Sequence, residues 1–163
     1  YREPDHPLQV AIRGTVERMA GEPVGAVGVD GCGAPVLALT LRGLARAFSA
    51  LVTAPAGSAA RRVADAMAAH PELVGGTHRH VTALMRAVPG LVAKDGAEGV
   101  YAAALPDGSA VALKIEDGAD RPRHALLVQA LRGLGAASPA LDAVATTPVV
   151  HLGRSAGTVR VLL

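Results

Sequence analysis

Residues 91–118 have the sequence LVAKDGAEGVYAAALPDGSAVALKIEDG. Three short apolar runs in this stretch lie at 91–93, 100–105 and 111–115. The sequence Pro-Asp-Gly at 106–108 favours a tight turn, so the second and third runs are predicted to pair as a hairpin. Short apolar runs with β propensity, separated by turn residues, are typical of strands. We therefore predict an antiparallel meander over 91–115.

Helices are predicted on both sides of this meander, because apolar residues recur there at helical spacing. The predicted helices lie at 8–19, 41–52, 59–70, 79–87 and 122–134. Thr40 and Ser58 are suited to cap the second and third of them. In the third helix, Val63 and Met67 are separated by four residues and are expected to face inward.

The order of these elements predicts an α/β fold in which helices cover an antiparallel sheet. A buried strand at 26–29 is expected to join the meander in one sheet, and an edge strand is expected at 159–163. A doubly wound parallel sheet is less favoured, because helices and strands do not alternate over 91–115.

The composition is that of a globular domain. The chain has 163 residues, of which 50% are apolar, and a formal net charge of +2. This apolar fraction excludes a disordered chain, and the length suits one domain or a large part of one. Only Tyr1, Phe48 and Tyr101 are aromatic. Weak charge and few stacking side chains argue against a nucleic-acid partner.

Neither a membrane span nor a disulfide is expected. The longest stretch without a charged residue, 47–60, contains Pro55 and Gly57 and is shorter than the roughly 18 apolar residues of a span. Cys32 is the single cysteine, so no internal disulfide can form. A cytoplasmic protein is therefore the expectation.

Several polar residues follow predicted strands and are candidates for chemistry. Cys32 lies between two glycines just beyond Asp30, where loop amides could lower the thiol pKa or present it to a metal; a small buried cysteine is the alternative. His78 and His80 could form a ligand pair, although solvated histidines are favoured. Lys94 precedes a glycine at a strand end, where a lysine can shuttle protons or anchor a carboxylate, or simply lie at the surface.

Five segments occur in an order that resembles the C-terminal half of the bacterial asparaginase II family. They are Pro-Asp-His-Pro at 4–7, Val-Asp-Gly-Cys-Gly-Ala-Pro at 29–35, His-Pro-Glu-Leu-Val at 70–74, Lys-Asp-Gly-Ala-Glu-Gly-Val-Tyr at 94–101 and Lys-Ile-Glu-Asp-Gly at 114–118. The resemblance implies a serine β-lactamase/penicillin-binding-protein-like fold. It also implies hydrolysis of L-asparagine to L-aspartate and ammonia through a serine acyl-enzyme activated by lysine, with a zinc ion near the active site.

Three site residues follow from this resemblance. Cys32 matches a zinc-ligand cysteine of the family, Lys94 matches its second active-site lysine, and Asp30 matches an aspartate beside the substrate. The family's Ser-x-x-Lys, Ser-His-Ser-like and Cys-x-x-Lys segments belong to an upstream half. Neither Ser49 nor Ser58 is followed by a lysine three residues later.

Residues 1–163 are therefore expected to be the C-terminal portion of a single asparaginase II-type domain whose N-terminal half is absent. Such a portion is expected to lack activity, to expose apolar surface and to form homo-oligomers. A glutaminase or β-lactam-active relative, and a catalytically incomplete interaction fragment, are the alternatives. The Asp-Gly-Cys-Gly-Ala-Pro loop at 30–35 favours an asparaginase.

Overall fold

The computed structural model describes residues 1–162, which form helices and short antiparallel strands. The helices are α1 (Pro7–Ala20), α2 (Leu41–Val52), α3 (Ala59–Ala69), α4 (Pro71–Gly75), α5 (His80–Ala87), α6 (Arg123–Gly133) and α7 (Pro139–Val144). The strands are β1 (Ala26–Val29), β2 (Pro35–Ala38), β3 (Val92–Asp95), β4 (Val100–Ala104), β5 (Ala110–Lys114), β6 (Thr147–His151) and β7 (Arg154–Val159). No helix within 1–162 is both long enough and apolar enough to cross a membrane.

The predicted meander is confirmed as a three-stranded antiparallel sheet with the order β3-β4-β5. Lys94 lies opposite Ala102 in this sheet, and Ala102 lies opposite Ala112. The β4–β5 connection is the expected tight turn, in which the Gly108 amide donates to the Leu105 carbonyl at 3.0 Å. Gly108 has a φ of +92°, which a glycine adopts without steric cost.

Helices cover both faces of this central sheet, so the coarse α/β prediction is confirmed. Residues alternate between the faces of a strand, and one face carries Tyr101, Ala103 and Leu113. These residues join a buried core with residues of α5, α6 and α7. The other face carries Val92 and Ala104, which pack with buried residues of α2 and α3.

The expected single sheet is wrong, because β1 pairs only with β2 among the described strands and β6 only with β7. All of β1 is exposed, with Val29 81% exposed, so the buried strand expected at 26–29 is also wrong. An apolar run fixes β propensity but not burial, since burial requires a second layer to stack on the strand.

Two further expectations need correction. Val63 is 50% exposed, whereas Ala64 is buried, because α3 contacts the sheet through its smaller side chain. The C-terminal strand ends at Val159 and pairs with β6, so residues 160–162 lie beyond it and Leu163 lies outside the described residues. The edge strand expected at 159–163 is therefore wrong in position, because β7 covers Arg154–Val159.

The two predicted caps are confirmed. The Thr40 side chain accepts a hydrogen bond from the Gly43 amide at 2.9 Å, and Ser58 accepts one from the Arg61 amide at 3.2 Å. Glu22 accepts from both the amide and the hydroxyl of Thr40, at 2.7 and 2.8 Å. The start of α2 is thereby tied to the chain segment that follows α1.

Gly99, in the turn between β3 and β4, generates a stability prediction. It has a φ of +71°, and a Cβ there would lie 2.7 Å from Ile115 Cβ. We expect Gly99→Ala to lower the free energy of unfolding by about 2–4 kcal/mol, because a left-handed conformation and a clash both oppose the side chain. Urea unfolding measures the change.

Gly57→Ala is the matched control. Gly57 also has a positive φ, of +78°, but nothing lies within 4 Å of the point that a Cβ would occupy there. We expect a loss of about 1 kcal/mol from backbone strain alone. Equal losses in the two variants would contradict the proposed contact between Gly99 and Ile115.

Candidate active site

A cleft of about 620 Å³ separates β2 and the start of α2 from the open end of the central sheet. Asp30, at the end of β1, lines it on one side. Gly96 and Ala97, which follow β3, and Lys114, the last residue of β5, line it on the other. The remaining lining residues are Val36, Leu37, Ala38, Leu39, Thr40, Leu41, Leu44 and Val100. The cleft therefore combines an apolar surface with two charged side chains.

The loop after β1 positions Asp30 and Cys32. The Asp30 amide donates to the Ala34 carbonyl, and the Gly33 amide donates to the Asp30 carbonyl, each at 2.8 Å. The exposed Cys32 thiol donates to Asp30 Oδ2 at 3.1 Å. This hydrogen bond contributes most to holding the pKa of Asp30 below its usual value, and hydrogen bonds from the amides of Gly31 and Cys32 contribute less. Asp30 therefore presents a carboxylate at neutral pH.

Lys94 lies near this cleft but outside its lining. It is on β3, two residues before Gly96, and its side chain is 48% exposed. Lys94 Nζ donates to Asp95 Oδ1 at 2.7 Å and to the Asp95 carbonyl at 2.6 Å. The structure thus brings Asp30 to the same cleft as the segment that follows Lys94, without a direct contact between the two predicted site residues.

Asp95 links Lys94 to two arginines. Its Oδ2 accepts from Arg79 at 2.9 Å and from the buried Arg123 at 3.5 Å. Burial of Asp95 opposes ionisation, but hydrogen bonds from Lys94 and Arg79, together with their charges, outweigh it and lower the pKa of Asp95 to about 2. Asp95 is consequently ionised at neutral pH and pairs with the Lys94 ammonium at the sheet edge.

Arg123, the first residue of α6, fixes the same strand end from inside the protein. It is 3% exposed, donates to the Gly96 carbonyl at 2.8 Å and lies over the Tyr101 ring at 5.6 Å. Its Nε has no hydrogen-bond partner among the described residues. This arginine was not among the predicted site residues, although its position four residues before Leu127 places it on the apolar face of α6.

His80 and His124 stack in parallel beside this arginine. Their ring centroids are 3.8 Å apart with an interplanar angle of 4°. His80 Nδ1 lies 3.3 Å from the Tyr101 hydroxyl, and His80 Nε2 lies 3.1 Å from the Val144 carbonyl. The expectation of two solvated histidines is therefore wrong for His80, because α5 starts at this residue and turns its ring towards the core, while His78 is exposed.

The described residues do not by themselves fit a zinc ion. A stable zinc site needs about four donors, and within 1–162 no group of three or more His, Cys, Asp or Glu side chains is placed to hold a metal. Cys32 and Asp30 together supply one thiol and one carboxylate at the exposed loop.

The L-asparaginase II family matches residues 1–161, which is nearly the whole chain. The chain belongs to the L-asparaginase II family. No curated protein matches it with significant similarity. Asp30, Cys32 and Lys94 all lie within the region that matches this family. The chain contains two lysines, Lys94 and Lys114. The residues three positions before them are Leu91 and Val111, so no Ser-x-x-Lys occurs within 1–163.

The histidine stack generates a prediction about pH. Burial, followed by the charges of His80 and Arg123, lowers the pKa of His124 to about 4. The unfolded chain, with a histidine pKa of about 6.5, binds more protons than the folded chain between about pH 4 and 6.5. The free energy of unfolding should therefore fall as the pH drops through this window.

Urea unfolding at pH 7.0 and 4.5 measures this effect. Because the ring is only half-buried and partly screened, His124 should account for a loss of about 1–2 kcal/mol. His124→Gln should remove that part of the loss, whereas His78→Gln, which changes an exposed histidine of the same pocket, should retain it. An unchanged pH dependence in His124→Gln would exclude His124 as the titrating group.

Proposed function

We propose that this chain is part of an asparaginase that hydrolyses L-asparagine to L-aspartate and ammonia. The observation that carries the proposal is the cleft at which Asp30 meets the segment directly after Lys94, in a chain that belongs to the L-asparaginase II family. Two distant segments of the sequence supply these residues, as expected for an active site assembled by folding. The loop at 30–35 favours asparagine over glutamine as the substrate.

In this proposal Lys94 acts at the reacting centre. Its ammonium group is held by Asp95 at the edge of the central sheet, where it can donate or accept a proton or stabilise a developing negative charge. The nucleophile would be the serine of a Ser-x-x-Lys segment outside residues 1–163. The serine β-lactamase-like fold is part of the same proposal; an antiparallel sheet covered by helices, with a lysine followed by Asp-Gly on its edge strand, supports it.

Zinc is also part of the proposal, with Cys32 as one ligand. A thiolate is a soft donor and suits zinc, and the Cys32 side chain is exposed on its loop. The other donors would come from outside the described residues. When bound, zinc would organise the loop that carries Asp30.

We further propose that the protein is a cytoplasmic homo-oligomer. Exposed apolar side chains one turn apart on α1 support self-association; Leu8 is 50% and Ile12 40% exposed. Light scattering at micromolar concentration should report dimers or larger species of the 163-residue chain. A concentration-independent monomer would overturn this part of the proposal.

The first activity prediction concerns the chain alone. Residues 1–163 should release no ammonia from L-asparagine above background, because no serine precedes a lysine by three residues. A coupled ammonia assay with L-asparagine and L-glutamine measures this. Turnover by the chain alone would show that its nucleophile lies within 1–163.

The second activity prediction concerns Lys94 in a form of the protein that carries a Ser-x-x-Lys segment. Lys94→Ala should lower kcat by roughly 10²–10⁴-fold, as expected for loss of a proton-transfer group. Lys94→Arg separates two roles, since a guanidinium keeps the charge but does not release its proton.

A similarly large loss in Lys94→Arg would assign proton transfer to Lys94, whereas recovery would assign an electrostatic role. Arg62→Ala, an exposed change on α3, is the control and should leave kcat unchanged. A near-normal kcat in Lys94→Ala would remove Lys94 from the reaction. Hydrolysis of glutamine in place of asparagine would redirect the proposal to a glutaminase.

A further inference from the structure

Lys114 is the second lysine of the chain and lies at the candidate cleft itself. It pairs with Val100 across β4 and β5, and Val100 also lines the cleft. Lys114 and Ala112 are two residues apart on β5, and Ala112 lies opposite Ala102, the partner of Lys94. Residues two apart share a face of a strand. The register therefore places both lysines on the same face of the central sheet.

The two lysines differ in their charge environment. Lys94 forms an ion pair with Asp95 at 2.7 Å. Lys114 Nζ donates to the Ile115 carbonyl, and no carboxylate among residues 1–162 forms a salt bridge with it. Lys114 is thus the lysine whose positive charge is not neutralised within the described structure.

Asp30 supplies the opposite charge in the same cleft. Its described side-chain hydrogen bonds come from its own loop, and within 1–162 it forms no salt bridge with an arginine or lysine. Asp30 and Lys114 are the charged residues among those that line the cleft, and the others are apolar, glycine or Thr40. A molecule with one positive and one negative group would satisfy both.

We propose that Asp30 and Lys114 together form a binding site for the zwitterionic end of an α-amino acid. Lys114 binds the α-carboxylate, and Asp30 binds the α-ammonium. The cleft volume of about 620 Å³ lies within the range of about 300–1,000 Å³ typical of small-molecule sites. Both charged side chains are exposed, so a ligand that enters the cleft can reach them directly.

This inference deepens the proposed function, because it takes asparagine as the amino acid and assigns the part of the substrate that does not react. Lys94 remains free to act at the side-chain amide. Molecules that lack one of the two charged groups should bind more weakly than the amino acid, because one protein charge would then lose water without gaining a partner.

The experiment measures binding of three probes to the 163-residue chain by calorimetry or by NMR titration. L-Asparagine has both charged groups, succinamic acid lacks the α-ammonium, and β-alaninamide lacks the α-carboxylate. Lys114→Met should weaken L-asparagine and succinamic acid by about 10–100-fold, as expected for loss of a charge-assisted hydrogen bond. It should leave β-alaninamide within about twofold of the unaltered chain.

Asp30→Asn should give the opposite pattern, weakening L-asparagine and β-alaninamide while leaving succinamic acid nearly unchanged. Lys114→Arg should retain part of the affinity for the carboxylate, because it keeps the charge. Arg62→Met, an exposed change far from these lining residues in the sequence, is the control and should alter none of the three affinities. Circular dichroism establishes that each variant is folded.

Equal weakening of all three probes by Lys114→Met would overturn the proposal, since a general structural effect does not depend on the α-carboxylate. An unaltered chain that binds none of the probes would overturn it as well. The probe pattern is independent of turnover. If the pattern appears but a form of the protein with a Ser-x-x-Lys segment hydrolyses no asparagine, the amino-acid site stands and the proposed reaction fails.

Discussion

The charge of Asp95 is the constraint on which the candidate site depends. Its carboxylate receives Lys94 from the strand edge, Arg79 from the segment before α5 and Arg123 from the start of α6. A buried carboxylate is tolerated only when its partners compensate for lost hydration. These cations allow β3 to end at an ionised aspartate, and this arrangement determines where the Lys94 ammonium lies. The position of this strand end is thus fixed by ion pairs between Asp95 and residues of three different segments.

The hydrogen-bond register of the central sheet distributes the two lysines. Alternation along β3 and β5 puts both on the face that α2 and α3 cover only in part. One lysine is neutralised by its neighbour in the chain, and the other lies where the sheet meets the apolar cleft. The central sheet therefore presents two lysines in different surroundings. This difference suits the two proposed roles, in which Lys114 binds the substrate and Lys94 acts on it.

Much of the local structure could be predicted from the sequence. The turn at 106–108, the caps at Thr40 and Ser58, and the meander were predictable because short-range geometry determines them. Burial of β1 was not, since it depends on whether another layer stacks on the strand. An apolar run alone does not contain that information.

The site was predictable only in part. Family resemblance identified Asp30, Cys32 and Lys94, but their roles remain predictions. The residues around Asp95 were missed because Arg79 is far in the sequence from Arg123 and His124, and they come together only through packing of α5 and α6 on the sheet. Charged residues in a helix ordinarily suggest a solvated face. The position of Arg123 relative to Leu127 was the available indication of burial.

The connection between α1 and α2 has a consequence for the geometry of the cleft. Both ends of the β1–β2 segment are held by carboxylates: Glu17 accepts from the Val24 amide at 3.0 Å, and Glu22 accepts from the Thr40 amide at 2.7 Å. Between these two anchors the hairpin pairs with itself and is largely exposed. The two anchors lie at the base of the hairpin and Asp30 lies at its opposite end, so any change in the hairpin's orientation at the base would displace Asp30 more than the residues beside the anchors. Thr40 itself lines the cleft, so its bond to Glu22 fixes one part of the cleft wall, whereas the position of Asp30 depends on the orientation of the whole hairpin.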